Sequence, residues 1–228
     1  MSLSEYLERF YSVFPWREDP FTEEVLRRFH ESLRTFQVII EHSWVKELLS
    51  SKSVLRIIDL CSSTGIGGIV LSRTLLNLGY SAELTLVDLR KSALEKSIEF
   101  SLGELGFKPK MLIADVIREL GFERDFDVAL IWDLTTLHFN PLNWVRVLVN
   151  VSIILRDNGL LLYDEVDRHS LFIEGDYEKI HLVEVGEDRI ILDIHVSKEC
   201  KSGFTRKIIV DLVPGKRVKL HKYIPSGI

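Results

Sequence analysis

Between residues 53 and about 166 short apolar runs alternate with helical patterns, and this alternation limits the possible folds more than any other feature of the chain. Val54–Leu60, Leu84–Asp88, Met111–Ala114, Phe126–Trp132 and Leu160–Val166 are aliphatic runs with little polar alternation. Such runs read as strands buried on both faces of a parallel sheet. Ile66–Leu78 reads as a helix stopped by Gly79, and Lys91–Leu105 as a helix with Leu94, Ile98, Leu102 and Leu105 on one face. A third helix starts at Asn140-Pro141, a cap followed by a first-turn proline, and is expected to end at Asn158-Gly159. Parallel strands need crossover connections, so strand and helix in alternation predict an open, doubly wound α/β sheet, mostly parallel.

Two segments flank this core. Residues 1–52 read as helical. Val25, Phe29, Leu33, Phe36, Ile40, Trp44 and Leu48 recur every three or four positions, the stripe of one long helix that Asp19 or Thr22 can cap. A shorter helix before it carries Tyr6, Leu7, Phe10, Tyr11 and Phe14 and stops at Phe14-Pro15. Residues 177–224 change character: Lys179–Val185, Arg189–Ser197, Phe204–Val213 and Arg217–Tyr223 read as strands with turn residues at the breaks. Connections that short demand an antiparallel meander. It either extends the central sheet, roofs a site, or offers its edge as the seam of a homodimer. The expected organisation is a single domain over 1–228, with a helical lid (1–52), a cofactor-binding core (53–166) and an antiparallel β extension (177–224).

Composition excludes several classes. With 228 residues, 46% of them hydrophobic, a core can form without staples, and the two cysteines, Cys61 and Cys200, make no disulfide framework. The net charge of −5 argues against a nucleic-acid partner, since non-specific phosphate binding runs on Lys and Arg. MSLSEYLERF has no apolar signal core and no stretch is long enough to span a bilayer, so a cytoplasmic protein without membrane attachment is expected. No His/Asp/Glu spacing resembles a metal site.

The chemistry-bearing segment follows the first strand: Ile57-Ile58-Asp59-Leu60-Cys61-Ser62-Ser63-Thr64-Gly65-Ile66-Gly67-Gly68. A buried strand ends in an acid, and a turn of small residues opens a helix whose free N–H groups suit a carboxylate or phosphate. Ligands of open α/β sheets bind at the carboxyl ends of the strands. The second strand ends at Asp88, suited to two ribose hydroxyls, and the third at Asp115, suited to an exocyclic amine. A dinucleotide fold would place G-x-G-x-x-G after the first strand, and this chain has none.

On these residues the chain resembles the class I S-adenosylmethionine-dependent methyltransferases, whose first motif is typically D-x-G-x-G-x-G; here it is DLCSSTG, residues 59–65. LTLVDL (84–89), LIADV (112–116), FDVALIWD (126–133) and ILRDNGLLLYDE (154–165) extend the likeness over 53–166. The resemblance implies S-adenosyl-L-methionine as cofactor. Asp59, Cys61, Ser62, Thr64 and Gly65 would lie along its methionine part, Asp88 with Leu89 at the ribose, and Asp115 with Val116 at the adenine. Trp132 would pack along the cofactor or fill core. Cys61 and Ser63 stand where the motif has its first two glycines. WDLTTLHFNP (132–141) replaces the Asn-Pro-Pro-Tyr signature of nucleic-acid amino-methylating enzymes, which favours a small-molecule acceptor. A protein or RNA acceptor, or a binding subunit without catalysis, are the alternatives.

Methyl transfer from a sulfonium mostly needs positioning and desolvation. His138 is a candidate general base or a loop-capping residue; Asp133 orients a substrate amine or bonds its own turn. Thr136 and Glu165 are candidate substrate-site residues. Tyr11 and Trp16 are candidate lid residues, or pack on the helix stripe.

Overall fold

The computed structural model describes residues 2–12, 19–165, 180–185, 190–199, 204–212 and 219–227. They fall into two compact units, the larger formed by Arg17–Asp133 with Val145–Asp164, the smaller by the described parts of Met1–Trp16, Leu134–Trp144 and Glu165–Ile228.

The larger unit is built on a parallel sheet of β1 (Val54–Leu60), β2 (Ser81–Asp88), β3 (Lys110–Ile113), β4 (Phe126–Ile131) and β5 (Leu155–Tyr163), in the order β3-β2-β1-β4-β5. The order reverses beside β1, which pairs with both β2 and β4, and this places the switch point at the carboxyl end of β1. All six residues of β4 are buried, whereas β3 is an exposed edge. Helices α4 (Ile66–Asn77) and α5 (Lys91–Leu105) cross between the first three strands. The helix α6 (Pro141–Ile154) joins β4 to β5 and spans the boundary between the two units. Asn140 caps it, its Oδ1 accepting from the Asn143 N–H at 2.8 Å.

The N-terminal stripe does not run along one helix. It divides into α2 (Glu23–Ile40) and α3 (Ser43–Ser50). The N–H groups of Glu41 and His42 turn back to the carbonyls of Val38 and Ile39, ending α2. The His42 ring then accepts from the Trp44 N–H at 3.3 Å and caps α3. The change of direction leaves Trp44 68% exposed, although its spacing put it on the stripe. Val25, Phe29, Phe36 and Ile40 of α2 join Leu48 and Leu49 of α3, Leu55 and Ile57 of β1 and Ile69 and Val70 of α4 in one core cluster. Thr22 caps α2, accepting from the Val25 N–H, while Asp19 accepts from Phe21.

Two other expectations are corrected. The buried face of α5 is Ala93, Leu94, Ser97, Phe100 and Ser101, with Leu102 43% exposed; small residues at 93, 97 and 101 let the helix lie close to its neighbours, a face that counting large apolar residues misses. α6 stops at Ile154 and β5 begins at the next residue, so Asn158-Gly159 lies inside a strand. There Leu155 pairs with Phe126 but Leu160 with Val128, and Asn158 at φ 63° carries the bulge that absorbs the extra residues. The turn residues mark a break in register, not the end of a helix.

The smaller unit holds α1 (Leu3–Tyr11), the short 3-10 turn Thr135–His138 and an antiparallel sheet of β6 (Ile180–Val185), β7 (Ile190–Glu199), β8 (Phe204–Leu212) and β9 (Lys219–Gly227) in the order β6-β7-β8-β9. Ser2 and Glu5 close a reciprocal capping box on α1. The meander is a sheet of its own, with no strand paired to the parallel sheet among the described residues.

Candidate functional site

The turn between β1 and α4 is held by its own backbone and by two acids. Ser62 N–H donates to Val87 O on β2 at 2.9 Å, and Gly65 N–H to Ser62 O at 2.7 Å. Cys61, Ser63 and Gly65 all adopt left-handed backbone, at φ 57°, 52° and 80°. These are the three glycine positions of the D-x-G-x-G-x-G pattern, so the turn keeps its shape although only Gly65 is a glycine. A side chain in this region costs about 1–2 kcal/mol per residue, strain that the surrounding hydrogen bonds hold in place.

Asp59 is 2% exposed, and its Oδ2 accepts from the Gly68 N–H at 2.8 Å. Burial pushes its pKa up to about 8; the Gly68 N–H opposes the shift, and the negative charges of Asp88, Asp133 and Asp164 add to it. The Cys61 thiol is likewise pushed well up by burial and by Asp88, Asp59 and Asp115, with Arg90 opposing. It is not a thiolate nucleophile. Asp88, 6% exposed, divides its oxygens: Oδ2 accepts from the Ser63 N–H and Oδ1 from the Arg90 N–H, both at 2.8 Å, with the Arg90 Nε at 3.4 Å from Oδ1. Asp88 therefore ties the end of β2 to the motif turn. Leu89 beside it is half-buried. Asp115 Oδ1 accepts from Ile117 N–H at 3.2 Å, and Val116 is buried.

Small residues in α4 make room for larger partners. A Cβ on Gly67 would lie 2.7 Å from Trp132 Cβ. Trp132 turns its indole N–H to Ser32 Oγ at 3.1 Å and lays its ring against Phe36, centroids 4.5 Å apart. It thus packs against α2. The hydroxyls of Ser62 and Thr64 are buried with no hydrogen-bond partner among the described residues.

Asp133 follows β4 at φ 67° and its Oδ2 accepts from Arg28 Nη1 of α2 at 2.6 Å. Burial raises its pKa and the Arg28 guanidinium lowers it. Sequence spacing missed Arg28, because an arginine on a helix flank carries no signal of a partner about a hundred positions away. In the smaller unit, Tyr11 Oη lies 3.3 Å from His138 Nε2, so two residues singled out for different reasons are hydrogen-bonded to each other. Thr136 is fully buried in the same 3-10 turn, and Glu165 is exposed. Trp16 lies outside the described residues, as do Phe14 and the residues 166–170 that follow Glu165. Among the described residues no group of three His, Cys, Asp or Glu side chains could hold a metal ion.

No protein-family profile matches the chain, and no curated protein matches it. Solved structures do. A S-adenosylmethionine-dependent methyltransferase from Clostridium acetobutylicum superposes with a TM-score of 0.64 at 14% identity, covering 97% of this chain and 82% of its own. The CcbJ methyltransferase from Streptomyces caelestis gives 0.62 at 14% identity over 87% of this chain and 73% of its own. The sugar N-methyltransferase KedS8 from a Streptoalloteichus species gives 0.60 at 16% identity over 100% of this chain and 81% of its own. With the strand order, the motif turn at the switch point and these superpositions together, the protein has the Rossmann-like fold of the class I S-adenosylmethionine-dependent methyltransferases.

Proposed function

We propose that this protein is an enzyme that binds S-adenosyl-L-methionine and transfers its methyl group to a small-molecule acceptor. The observation that carries the reading is the turn 61–65: three left-handed residues open it toward the carboxyl edge of the sheet, and two buried hydroxyls, Ser62 and Thr64, have no partner among the described residues. Buried hydroxyls without partners cost free energy unless something bonds them. The amino-acid end of the cofactor offers both an ammonium and a carboxylate, so the residues present fit that group.

When bound, the cofactor supplies an activated methyl on a sulfonium that leaves as a neutral thioether. The chain's residues position and desolvate. Asp59, Cys61, Ser62, Thr64 and Gly65 flank the methionine part. Asp88 and Leu89 serve the ribose, Asp88 exchanging or sharing the N–H groups it now holds. Asp115 and Val116 serve the adenine. Trp132 supports the wall through Phe36 and Ser32. Asp133 is the candidate proton acceptor of the larger unit and His138 that of the smaller, where Tyr11 orients its ring; Thr136 and Glu165 of the smaller unit are candidate acceptor-binding residues.

A small-molecule acceptor is supported by the net charge of −5, which disfavours nucleic acid, and by the whole-chain likeness to a sugar N-methyltransferase. No helix among the described residues is long and apolar enough to cross a membrane. Calorimetry with the demethylated cofactor tests the reading. The wild type binds it, Asp88→Ala weakens binding by tenfold or more, at the scale of about 1.4 kcal/mol per tenfold, and Asp164→Ala has a smaller effect. No binding by the wild type, or equal losses in the two variants, overturns it.

A further inference from the structure

We propose that Arg28 is a positioning residue for Asp133, presenting one oxygen of that carboxylate to the acceptor, and that the acceptor is a protonated amine rather than an alcohol. The inference rests on the methyl-transfer reading above and names its substrate class. Its geometry is specific. Arg28 Nη1 on α2 reaches Asp133 Oδ2 at 2.6 Å, in a pair whose side chains are 20% and 37% exposed. Oδ1 of Asp133 has no partner among the described residues. The left-handed backbone at Asp133 and again at Leu134, φ 67° and 60°, fixes where β4 ends and so where this carboxylate stands. A guanidinium that takes one oxygen leaves the other pointing elsewhere, which is how a charge partner orients a base without consuming it.

The surroundings select the acceptor. Facing Asp133 are Arg28 from α2 and Asp59 from β1, with Asp88 and Asp164 around Asp59. Arg28 pairs with Asp133 and Arg90 stands beside Asp88; Asp59 is largely protonated below about pH 8, so the feature of the rim that favours a cation is the second oxygen of Asp133. An alkylammonium, with a pKa of about 10.4 for lysine, is close enough to a carboxylate for proton transfer to be coupled to attack, whereas an alcohol is too weak an acid for so weak a base. The ammonium proton passes to Asp133 Oδ1. The freed nitrogen lone pair forms the N–C bond to the methyl. The C–S bond breaks with its electron pair on sulfur, which loses its positive charge. Asp133 then returns the proton to water. Burial alone holds the Asp133 carboxyl above its ordinary range, and Arg28 opposes this; removing Arg28 therefore raises its pKa and disables the base on the acid side.

The experiment uses the full chain as wild type, Arg28→Gln, Arg28→Lys and Asp133→Asn. Three readouts are taken: the 13C carboxyl titration of Asp133 without cofactor, binding of the demethylated cofactor by calorimetry, and transfer of labelled methyl to benzylamine against benzyl alcohol across pH. In Arg28→Gln the Asp133 titration moves to higher pH and the acid limb of kcat/KM follows it. Transfer to benzylamine at pH 6 falls about tenfold or more, while cofactor binding is unchanged and Arg28→Lys restores most of the rate. Asp133→Asn loses the limb. An Asp133 titration that stays put in Arg28→Gln overturns the positioning role, and preferential methylation of benzyl alcohol overturns the substrate class. A wild type that does not bind the demethylated cofactor overturns the methyl-transfer reading, while the cofactor-free titration still decides whether Arg28 controls Asp133.

Discussion

Asp59 and Gly68 fit each other with no room to spare: the carboxyl Oδ2 accepts the Gly68 N–H at 2.8 Å, and a Cβ at Gly68 would stand 2.9 Å from that same oxygen. The pair joins the end of β1 to the first turn of α4. The acid that ends the first strand thus serves the fold directly, by capping the helix it precedes.

Gly68→Ala is expected to destabilise the protein by about 1–3 kcal/mol, the range for overpacking a filled interior. The added methyl would also stand 2.8 Å from Leu84 Cδ1. The Leu84 side chain or Asp59 must shift to admit it. Urea denaturation with an unchanged m-value checks it.

Asp59 gives the stability a pH dependence of definite sign. Its pKa is raised to about 8 in the folded protein, from an ordinary 3.8. The folded state therefore holds a proton that the unfolded state releases. Stability from this group is fully present below pH 4 and declines as pH rises toward 8. Asp59→Asn keeps an acceptor for Gly68 and has no proton to lose. Its stability curve is expected to be flatter than the wild type's over that window, measured by denaturation at fixed pH steps; parallel curves would refute the assignment.

Cys61→Gly and Ser63→Gly are expected to be neutral to stabilising, by up to about 1 kcal/mol each, because relief of left-handed strain exceeds the entropy that glycine loses on folding. Both residues are at positive φ in the motif turn. Thermal melts of the single variants would show this, with cofactor binding preserved.

Asp127 holds the opposite end of the sheet. It is 1% exposed, accepts the Arg56 N–H at 2.9 Å, and meets Arg156 Nη1 at 3.2 Å and Lys52 Nζ at 3.5 Å. Removing one partner of a buried charge network leaves the others uncompensated. Asp127→Ala is expected to cost about 3–5 kcal/mol, with no direct effect on cofactor affinity in protein that remains folded.

Much of the fold is legible in local pattern. β1, the two ends of α5 and the start of α6 carry their own local signals, and the acid-turn-helix at 59–68 reads from residue size alone. The cofactor candidates come from the same source, since they sit at strand ends that the chain order already marks.

What local pattern could not decide are the places where a distant partner sets the outcome. The stripe through Trp44 continues in sequence but breaks at His42, because a backbone turn and a cap there outweigh periodicity. Asn158-Gly159 signals a turn, yet pairing with β4 draws it into β5 as a bulge. Arg28 meets Asp133, and Tyr11 meets His138, only through folding. The sequence by itself determined the alternating α/β core and the strand-end acids of the candidate site, because burial period and turn chemistry act over a few residues. Tertiary structure alone decided which charges face one another, because Coulomb and hydrogen-bond partners are chosen by distance in space, not along the chain.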